Sequence, residues 1–206
     1  MPCPSKRVHY DAHIFNIYEN VYEPAEDSFL FAENLEVKEG EQVLDVGTGC
    51  GMLGILTAKK AANVVTVDLN PYAIRCAKEN SVLNGVRSKM CFIQASLFTA
   101  LNRSAKFDLI LFNAPYLPSE EKEAESWIGR SWAGGDNGRD VVDCFICEVP
   151  THLKPNGKVL MMQSTLTGVE ETIRGFRALG LMACVIAERK LPFFETLTLI
   201  QATAGE

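Results

Sequence analysis

From about residue 41 onwards, short runs rich in β-branched residues alternate with longer helical stretches. Such alternation is typical of βαβ units, in which a helix crosses over between parallel strands. The predicted strands are 42–46, 63–68, 90–94, 107–113, 158–163, 182–188 and 196–202, and the predicted helices are 51–61, 71–83, 141–153 and 169–179. Too few residues separate the last two strands for a crossover helix. The sequence therefore predicts an α/β fold, a doubly wound, Rossmann-like sheet of mostly parallel strands that ends in an antiparallel hairpin.

Charge and cysteine content restrict the classes of function. The formal net charge is −6, so the chain has no general attraction to phosphate backbones, and a nucleic-acid substrate is disfavoured. The 7 cysteines are odd in number and mostly lie in apolar runs, where a reduced thiol behaves as a small hydrophobic group, so we expect a cytoplasmic protein. No stretch approaches the roughly 18 apolar residues of a membrane span or resembles a signal peptide, and neither membrane insertion nor secretion is expected.

A glycine-rich loop follows the first strand of this pattern. Gly47, Gly49 and Gly51 stand between a predicted strand and a predicted helix, where glycines let a ligand approach backbone N–H groups. The dinucleotide fingerprint needs another glycine at position 52, where this chain has methionine, so a nucleoside without pyrophosphate is favoured. Asp68 ends the second strand and can accept hydrogen bonds from both ribose hydroxyls, and Asp45 can meet a positively charged end of the ligand. The alternative is a tight turn that binds nothing.

The segment NAPY (113–116) follows the fourth strand, at the sheet edge where ligands bind in open α/β folds. A planar amide or aniline-like nitrogen is a poor nucleophile because its lone pair is delocalised, so a site that modifies it must accept both N–H groups and aim the lone pair. Asn113 Oδ1 and the carbonyl of Ala114 can be the two acceptors, and Tyr116 can cover the flat face. Pro115 favours an extended backbone at Ala114. The alternative is an ordinary strand-ending turn.

Together these motifs resemble the class I S-adenosylmethionine-dependent methyltransferases. They resemble more closely the release-factor glutamine methyltransferase family in its archaeal and eukaryotic form. The resemblance covers nearly the whole chain and rests on VYEPAEDS (21–28), DVGTGCG (45–51), DLNP (68–71), NAPY (113–116) and WAGGDNG (132–138). The first and last of these motifs are much more specific than the general signals of the fold.

The resemblance implies S-adenosyl-L-methionine as cofactor, S-adenosyl-L-homocysteine as product and no metal in this chain. The implied reaction is N5-methylation of the glutamine in the Gly-Gly-Gln motif of a peptide-chain release factor, with a small zinc-binding activator protein as partner. Residues 1–40 are then an extension that covers the cofactor, and residues 41–206 are the methyltransferase domain. The implied catalytic residues are Asn113, Ala114, Pro115 and Tyr116. The expected cofactor-binding residues are Ser28, Asp45, Gly47, Thr48, Gly49, Gly51, Asp68, Leu69, Ser96, Leu97 and Asn113.

Two positions depart from the family pattern. Ala114 replaces the usual proline, which costs rigidity but keeps the carbonyl, and Ser96 stands where the family usually carries aspartate for the adenine amino group. Two alternative functions stay open, an adenine-N6 methyltransferase acting on RNA or DNA and a non-catalytic S-adenosylmethionine-binding scaffold. Cys144 and Cys147 have the spacing of a redox or metal pair but fall within a predicted helix, where we expect core packing.

Overall fold

The computed structural model describes residues 4–192 and 194–205, so Cys3 lies outside the described residues. The strands are β1 Lys6–Tyr10, β2 His13–Ile17, β3 Gln42–Val46, β4 Asn63–Asp68, β5 Met90–Gln94, β6 Phe107–Asn113, β7 Leu153–Ser164, β8 Met182–Lys190 and β9 Thr196–Thr203. The helices are α1 Glu26–Glu33, α2 Met52–Ala58, α3 Pro71–Leu83, α4 Asp140–Glu148 and α5 Val169–Ala178.

The main sheet has seven strands in the order β5-β4-β3-β6-β7-β9-β8. Strands β5, β4, β3, β6 and β7 are parallel, and β9 is antiparallel to both of its neighbours. The predicted doubly wound sheet with a C-terminal antiparallel hairpin is confirmed. The chain moves outward from β3 through β4 and β5, and then returns to the other side of β3 with β6. The carboxyl ends of β3 and β6 therefore flank the crevice where open α/β sheets bind ligands.

Local sequence explains where the elements near this crevice begin. Strand β6 is apolar on both faces because it lies in the middle of the sheet, and Leu109, Ile110 and Leu111 are buried. Helix α3 begins after Asn70, whose side chain accepts a hydrogen bond from the N–H of Tyr72 at 2.9 Å, as the Asn-Pro pair predicts.

Two predicted boundaries differ from the structure. The helix expected over 141–153 ends at Glu148 and continues as the 3-10 turn Val149–His152, where Pro150 has no N–H to continue the α-helical ladder. The turn expected at 155–157 lies inside β7, whose register with β6 is irregular there, and Asn156 has a φ of 59°. The extra residues are accommodated as a bulge, so one long strand replaces a turn followed by a strand.

Strands β1 and β2 form an antiparallel hairpin that the sequence did not predict. Its second strand packs beside α3, and two asparagines of that region replace a neighbouring strand. Asn84 accepts from the N–H of Ile14 (3.1 Å) and donates to its carbonyl (2.8 Å), and Asn80 does the same for Asn16 (2.9 and 3.0 Å). Amide side chains thus satisfy the outer edge of β2.

The prediction that Cys144 and Cys147 pack in the core is wrong. Both thiols are exposed on α4, which instead buries Val142, Phe145 and Ile146. One hydrophobic core joins the main sheet, its helices and the segment that precedes them, since Phe15, Val21 and Phe31 belong to it. Within residues 4–192 and 194–205, none of the helices has the length and hydropathy that membrane crossing requires.

Candidate active site

The glycine-rich loop is fixed to the end of β4. The N–H groups of Gly47 and Thr48 both donate to the carbonyl of Val67, at 2.8 and 3.1 Å, and the N–H of Gly49 donates to Asp68 Oδ2 at 2.9 Å. Gly47 and Gly49 have φ values of 67° and 55°, a region that side chains disfavour. The loop is therefore held in its bent shape by the protein itself.

Gly51 serves packing and does not line the cavity described below. Its φ is 87°, and a Cβ atom there would lie 2.9 Å from the Cβ of Ala77 on α3. The lack of a side chain at this position lets the loop and α3 come close together. Its predicted role in holding a cofactor is thus indirect in this structure.

Asp68 has hydrogen-bonding capacity to spare. Its Oδ2 accepts from Gly49, and its Oδ1 accepts from the N–H of Asn70 at 2.8 Å. Burial raises the pKa of Asp68, and these two backbone donors oppose that rise. Each oxygen of a carboxylate offers two lone-pair sites, so one site on each oxygen is free for a diol.

Asp45 is a buried carboxyl that also lines the cavity. Its Oδ2 accepts from the hydroxyl of Thr48 at 2.6 Å and from the N–H of Gly54 at 3.1 Å. Burial raises the pKa of Asp45 to about 7, although these two hydrogen bonds lower it. A cation placed beside this carboxyl would therefore favour its ionised form.

Asn113 is held in one orientation by α1. Its Nδ2 donates to Asp27 Oδ2 at 3.0 Å and lies 3.4 Å from Ser28 Oγ. Its Oδ1 is buried and has no hydrogen-bond partner among residues 4–192 and 194–205. An unpaired buried acceptor costs about 1–3 kcal/mol, so this oxygen is suited to accept from a bound group. The structure thus presents the acceptor that the sequence assigned to Asn113.

Asp27 is a residue of the site that sequence reasoning missed. Only 6% of it is exposed, and its Oδ1 accepts from the N–H of Ser28 at 2.6 Å and from the hydroxyl of Tyr22 at 3.1 Å. Its other oxygen holds Asn113. The sequence could have indicated Asp27, because it stands next to Ser28 in the motif 21–28. An acidic residue beside a predicted ligand-binding residue is itself a candidate site residue.

A single cavity collects most of the predicted residues at the carboxyl ends of β3, β4 and β6. It brings together Ser28, Asp45, Gly47, Thr48, Gly49, Asp68, Leu69, Ser96, Leu97, Asn113, Ala114 and Pro115. The carboxyl of Asp68 suits a ribose, and the carboxyl of Asp45 suits a positively charged group. The cavity therefore fits a nucleoside that carries a cationic tail.

Comparison with known proteins identifies the family. The model of the family described as methyltransferase small domain matches residues 23–129, just over half of the chain. The chain belongs to this methyltransferase family. A putative protein N5-glutamine methyltransferase of Methanocaldococcus jannaschii is 44% identical over 89% of this chain and 92% of its own length. The human protein named methyltransferase HEMK2 is 31% identical over 90% of this chain and 91% of its own length.

Solved structures show the same fold. The structure of the E. cuniculi Mtq2–Trm112 complex, described as responsible for methylation of the eRF1 translation termination factor, has a TM-score of 0.70 and 24% identity, over 91% of this chain and 100% of that chain. A tRNA m1G37 methyltransferase of M. jannaschii has a TM-score of 0.73 and 16% identity, over 100% of this chain and 58% of that chain. These likenesses place the methyltransferase in the class I fold.

Family membership implies that the methyltransferase uses S-adenosylmethionine. The cavity agrees with this cofactor in three respects, namely the free lone pairs of Asp68, the buried carboxyl of Asp45 and the preformed glycine loop. Among the residues that the structure describes, no three or more histidines, cysteines and acidic residues are grouped as metal ligands.

A second groove adjoins the cavity of the methyltransferase and contains Tyr116. The two share Tyr22, Asp27 and Ala114, and the groove continues past Leu117 towards Trp132. Burial, followed by the charge of Asp27, raises the pKa of the Tyr116 hydroxyl above its usual range. The ring therefore stays a neutral phenol beside Asn113.

The long loop after β6 is ordered by pairing with the segment that precedes it. Leu117 donates to the carbonyl of Trp132 at 2.9 Å, and its own carbonyl accepts from Gly134 at 2.8 Å. The loop thereby brings Trp127 and Arg130 to the cavity, where the guanidinium lies 4.9 Å from the centre of the indole ring. Trp132, the first residue of the motif 132–138, thus lines the groove that holds Tyr116.

Proposed function

We propose that this methyltransferase transfers a methyl group to the side-chain amide nitrogen of the glutamine in a Gly-Gly-Gln motif of a peptide-chain release factor. The observation that carries the proposal is the buried Oδ1 of Asn113, which no described residue pairs and which Asp27 fixes in orientation. This oxygen can accept a hydrogen bond from an N–H group of a bound substrate. Two relatives are named as glutamine methyltransferases, which supports glutamine as the source of that group.

S-adenosyl-L-methionine, when bound, supplies an electrophilic methyl group and leaves as S-adenosyl-L-homocysteine. We propose that Asp68 holds its ribose, Asp45 its cationic amino-acid end, and Ser96 and Leu97 its adenine. The glycine loop of residues 47–51 borders its tail. Ser28, on the covering extension of residues 1–40, closes the site over it.

The proposed chemistry depends on positioning. An amide nitrogen has a delocalised lone pair, and no side-chain base can usefully deprotonate it near neutral pH, so the site must orient it against the methyl donor. Asn113 Oδ1 and the carbonyl of Ala114 accept its two N–H groups, which favours the positive charge that develops on nitrogen. Tyr116 covers the planar face, and one N–H proton is released after transfer.

Cofactor affinity is expected to depend on pH through Asp45. Its pKa of about 7 means that the carboxyl is largely protonated below this pH in the free protein. A cationic ligand lowers that pKa, so binding releases a proton and strengthens as the pH rises through 7. Between pH 6 and pH 8 we expect Kd to fall about tenfold, as measured by calorimetry. Asp45→Asn should abolish this slope, and an equal slope in the variant would refute the assignment.

A transfer assay with cofactor labelled in its methyl group tests the proposed substrate. We expect label in an intact release factor and none in the same protein with Gln→Ala in its Gly-Gly-Gln motif. Equal labelling of both would defeat the glutamine assignment. Adenine-containing RNA and DNA oligonucleotides serve as the third arm, because labelling there in place of the protein would favour adenine-N6 transfer.

The assay should be run with and without a small zinc-binding protein. The fold neighbour described above is a two-protein complex, which supports a partner protein, and the family resemblance is the reason to propose a zinc-binding one. We expect higher transfer in its presence. A release-factor substrate also implies that the protein works in the cytoplasm, where its exposed thiols stay reduced.

A further inference from the structure

Two large apolar side chains are exposed to solvent at the edge of the sheet where the parallel strands have their carboxyl ends. Leu166 is 56% exposed and Phe194 is fully exposed. They follow β7 and precede β9, two strands whose ends are paired at Ser164 and Leu197. The 3-10 turn Thr165–Thr167 that follows β7 is bonded directly to the start of β9, since the N–H of Thr196 donates to Thr165 Oγ1 at 3.0 Å. We call Leu166 and Phe194 the apolar rim.

Leu166 is presented by a rigid turn. The buried side chains of Arg139 and Gln163 both donate to the carbonyl of Thr167 at 2.7 Å, and the N–H of Leu166 donates to Ser164 Oγ at 3.2 Å. A backbone that is bonded this fully loses little further conformational freedom when the side chain that it carries is covered.

Phe194 is presented by a strained turn. Its φ is 66°, in the left-handed region that residues other than glycine and asparagine disfavour. Glycine would relieve the strain, and a polar residue would remove the exposed aromatic ring. The folded chain therefore gains nothing from phenylalanine at this place, which points to a use for the ring outside the chain.

The apolar rim lies beside the groove that holds Tyr116. A Cβ atom on Gly138 would lie 2.3 Å from Thr167 Cγ2 and 2.4 Å from the carbonyl oxygen of Tyr116, so both residues touch the same glycine. On the other side, the charge of Glu195, next to Phe194, is among the causes that raise the pKa of Tyr116. The apolar rim therefore lies close to the groove that holds Tyr116.

We propose that the apolar rim docks the folded body of the substrate protein, outside the glutamine-bearing loop. This inference rests on the proposed function. A protein whose loop enters the groove would place neighbouring surface over the rim, because the two lie close together. The position of the rim favours the substrate as occupant, since the rim lies beside the groove that the glutamine-bearing loop would enter, whereas a second copy of this chain seated there would obstruct that groove. Exposed leucine and aromatic side chains gain from such burial, and aromatic anchors dominate many interfaces.

Steady-state kinetics on two substrates tests the rim. Leu166→Ser and Phe194→Gly are compared with the wild type on an intact release factor and on a short peptide that contains Gly-Gly-Gln. We expect each variant to raise KM for the intact protein about tenfold, as loss of an interface anchor does, with kcat unchanged. KM for the peptide and Kd for the cofactor should not change. Phe194→Gly relieves the strained φ, so it should not impair folding.

Met182→Ser is the matched control. Met182 is also apolar and 71% exposed, but it begins β8 at the other end of the sheet. It should leave KM for both substrates unchanged. If the wild type methylates the intact protein but not the peptide, the result agrees with the expectation that contacts outside the glutamine-bearing loop contribute to substrate binding.

Four outcomes would contradict the apolar rim as a docking surface for the substrate. Equal KM values for wild type and variants on the intact protein would remove it and leave the proposed function standing. Equal losses on protein and peptide would show that the variants damage the groove. A change from dimer to monomer without a kinetic effect would assign the rim to a second copy. A wild type that labels neither substrate would instead refute the proposed function, and the rim with it.

Discussion

Asn113→Ala is expected to lower kcat/KM for the protein substrate by about 10²- to 10³-fold while cofactor affinity is largely retained. The variant removes Oδ1, the buried acceptor that has no partner within the described chain. Loss of a preorganised group that acts on developing charge reduces kcat, whereas a merely supporting residue would alter binding and stability first. Single-turnover rates and calorimetry of the cofactor measure the two effects separately.

Asn102→Ala is a suitable control for this experiment. Asn102 is exposed, and its side chain accepts from Ser104 in a loop before β6. It should change neither rate nor affinity. If Asn113→Ala lost cofactor affinity in proportion to activity, the residue would belong to the cofactor site and not to the substrate amide.

Asp27→Asn is expected to reduce kcat about tenfold to 10²-fold with a smaller effect on cofactor Kd. One carboxylate oxygen accepts from the N–H of Ser28 and the other from Asn113 Nδ2, and both partners there are donors. An asparagine at position 27 must place its own NH₂ against one of them. If the two NH₂ groups face each other, only a flip of the Asn113 amide removes the clash of donors. The flip turns Nδ2, a donor, towards the substrate in place of the acceptor Oδ1.

Glu26→Gln provides the matched control, one residue away on α1. Glu26 is exposed and pairs with Arg189 at 2.9 Å, a surface ion pair that contributes about 0–1 kcal/mol. Its kcat should equal that of the wild type. A wild-type kcat in Asp27→Asn, with the protein folded, would show that Asn113 keeps its orientation without the carboxylate.

The hydrophobic pattern of the strands and the residues that begin and end the helices were sufficient to predict the main sheet. Strands that are apolar on both faces, with Asn-Pro and glycine at helix boundaries, identify parallel βαβ units from local sequence alone. The hairpin of β1 and β2 was missed because its outer edge is satisfied by Asn80 and Asn84, more than sixty residues further along the chain. No local pattern records such pairing.

The candidate site was predictable where one motif carries the geometry. Asp68 and Asn113 each follow a strand, and the ends of parallel strands meet at one edge. The role of Asp27 depends on α1 packing against the end of β6, 86 residues away, and this contact cannot be derived from either motif alone. The exposure of Cys144 and Cys147 was likewise decided by which side of α4 faces the sheet.

Asn80 has a further consequence. The same Nδ2 that bonds to the carbonyl of Asn16 also donates to the carbonyl of Cys50 in the glycine loop, at 2.9 Å. One amide therefore joins the N-terminal hairpin to the cofactor loop, and their free energies are linked. Such linkage is reciprocal. A ligand that stabilises the loop therefore also stabilises the hairpin, and a substitution that destabilises the hairpin lowers the affinity for the ligand.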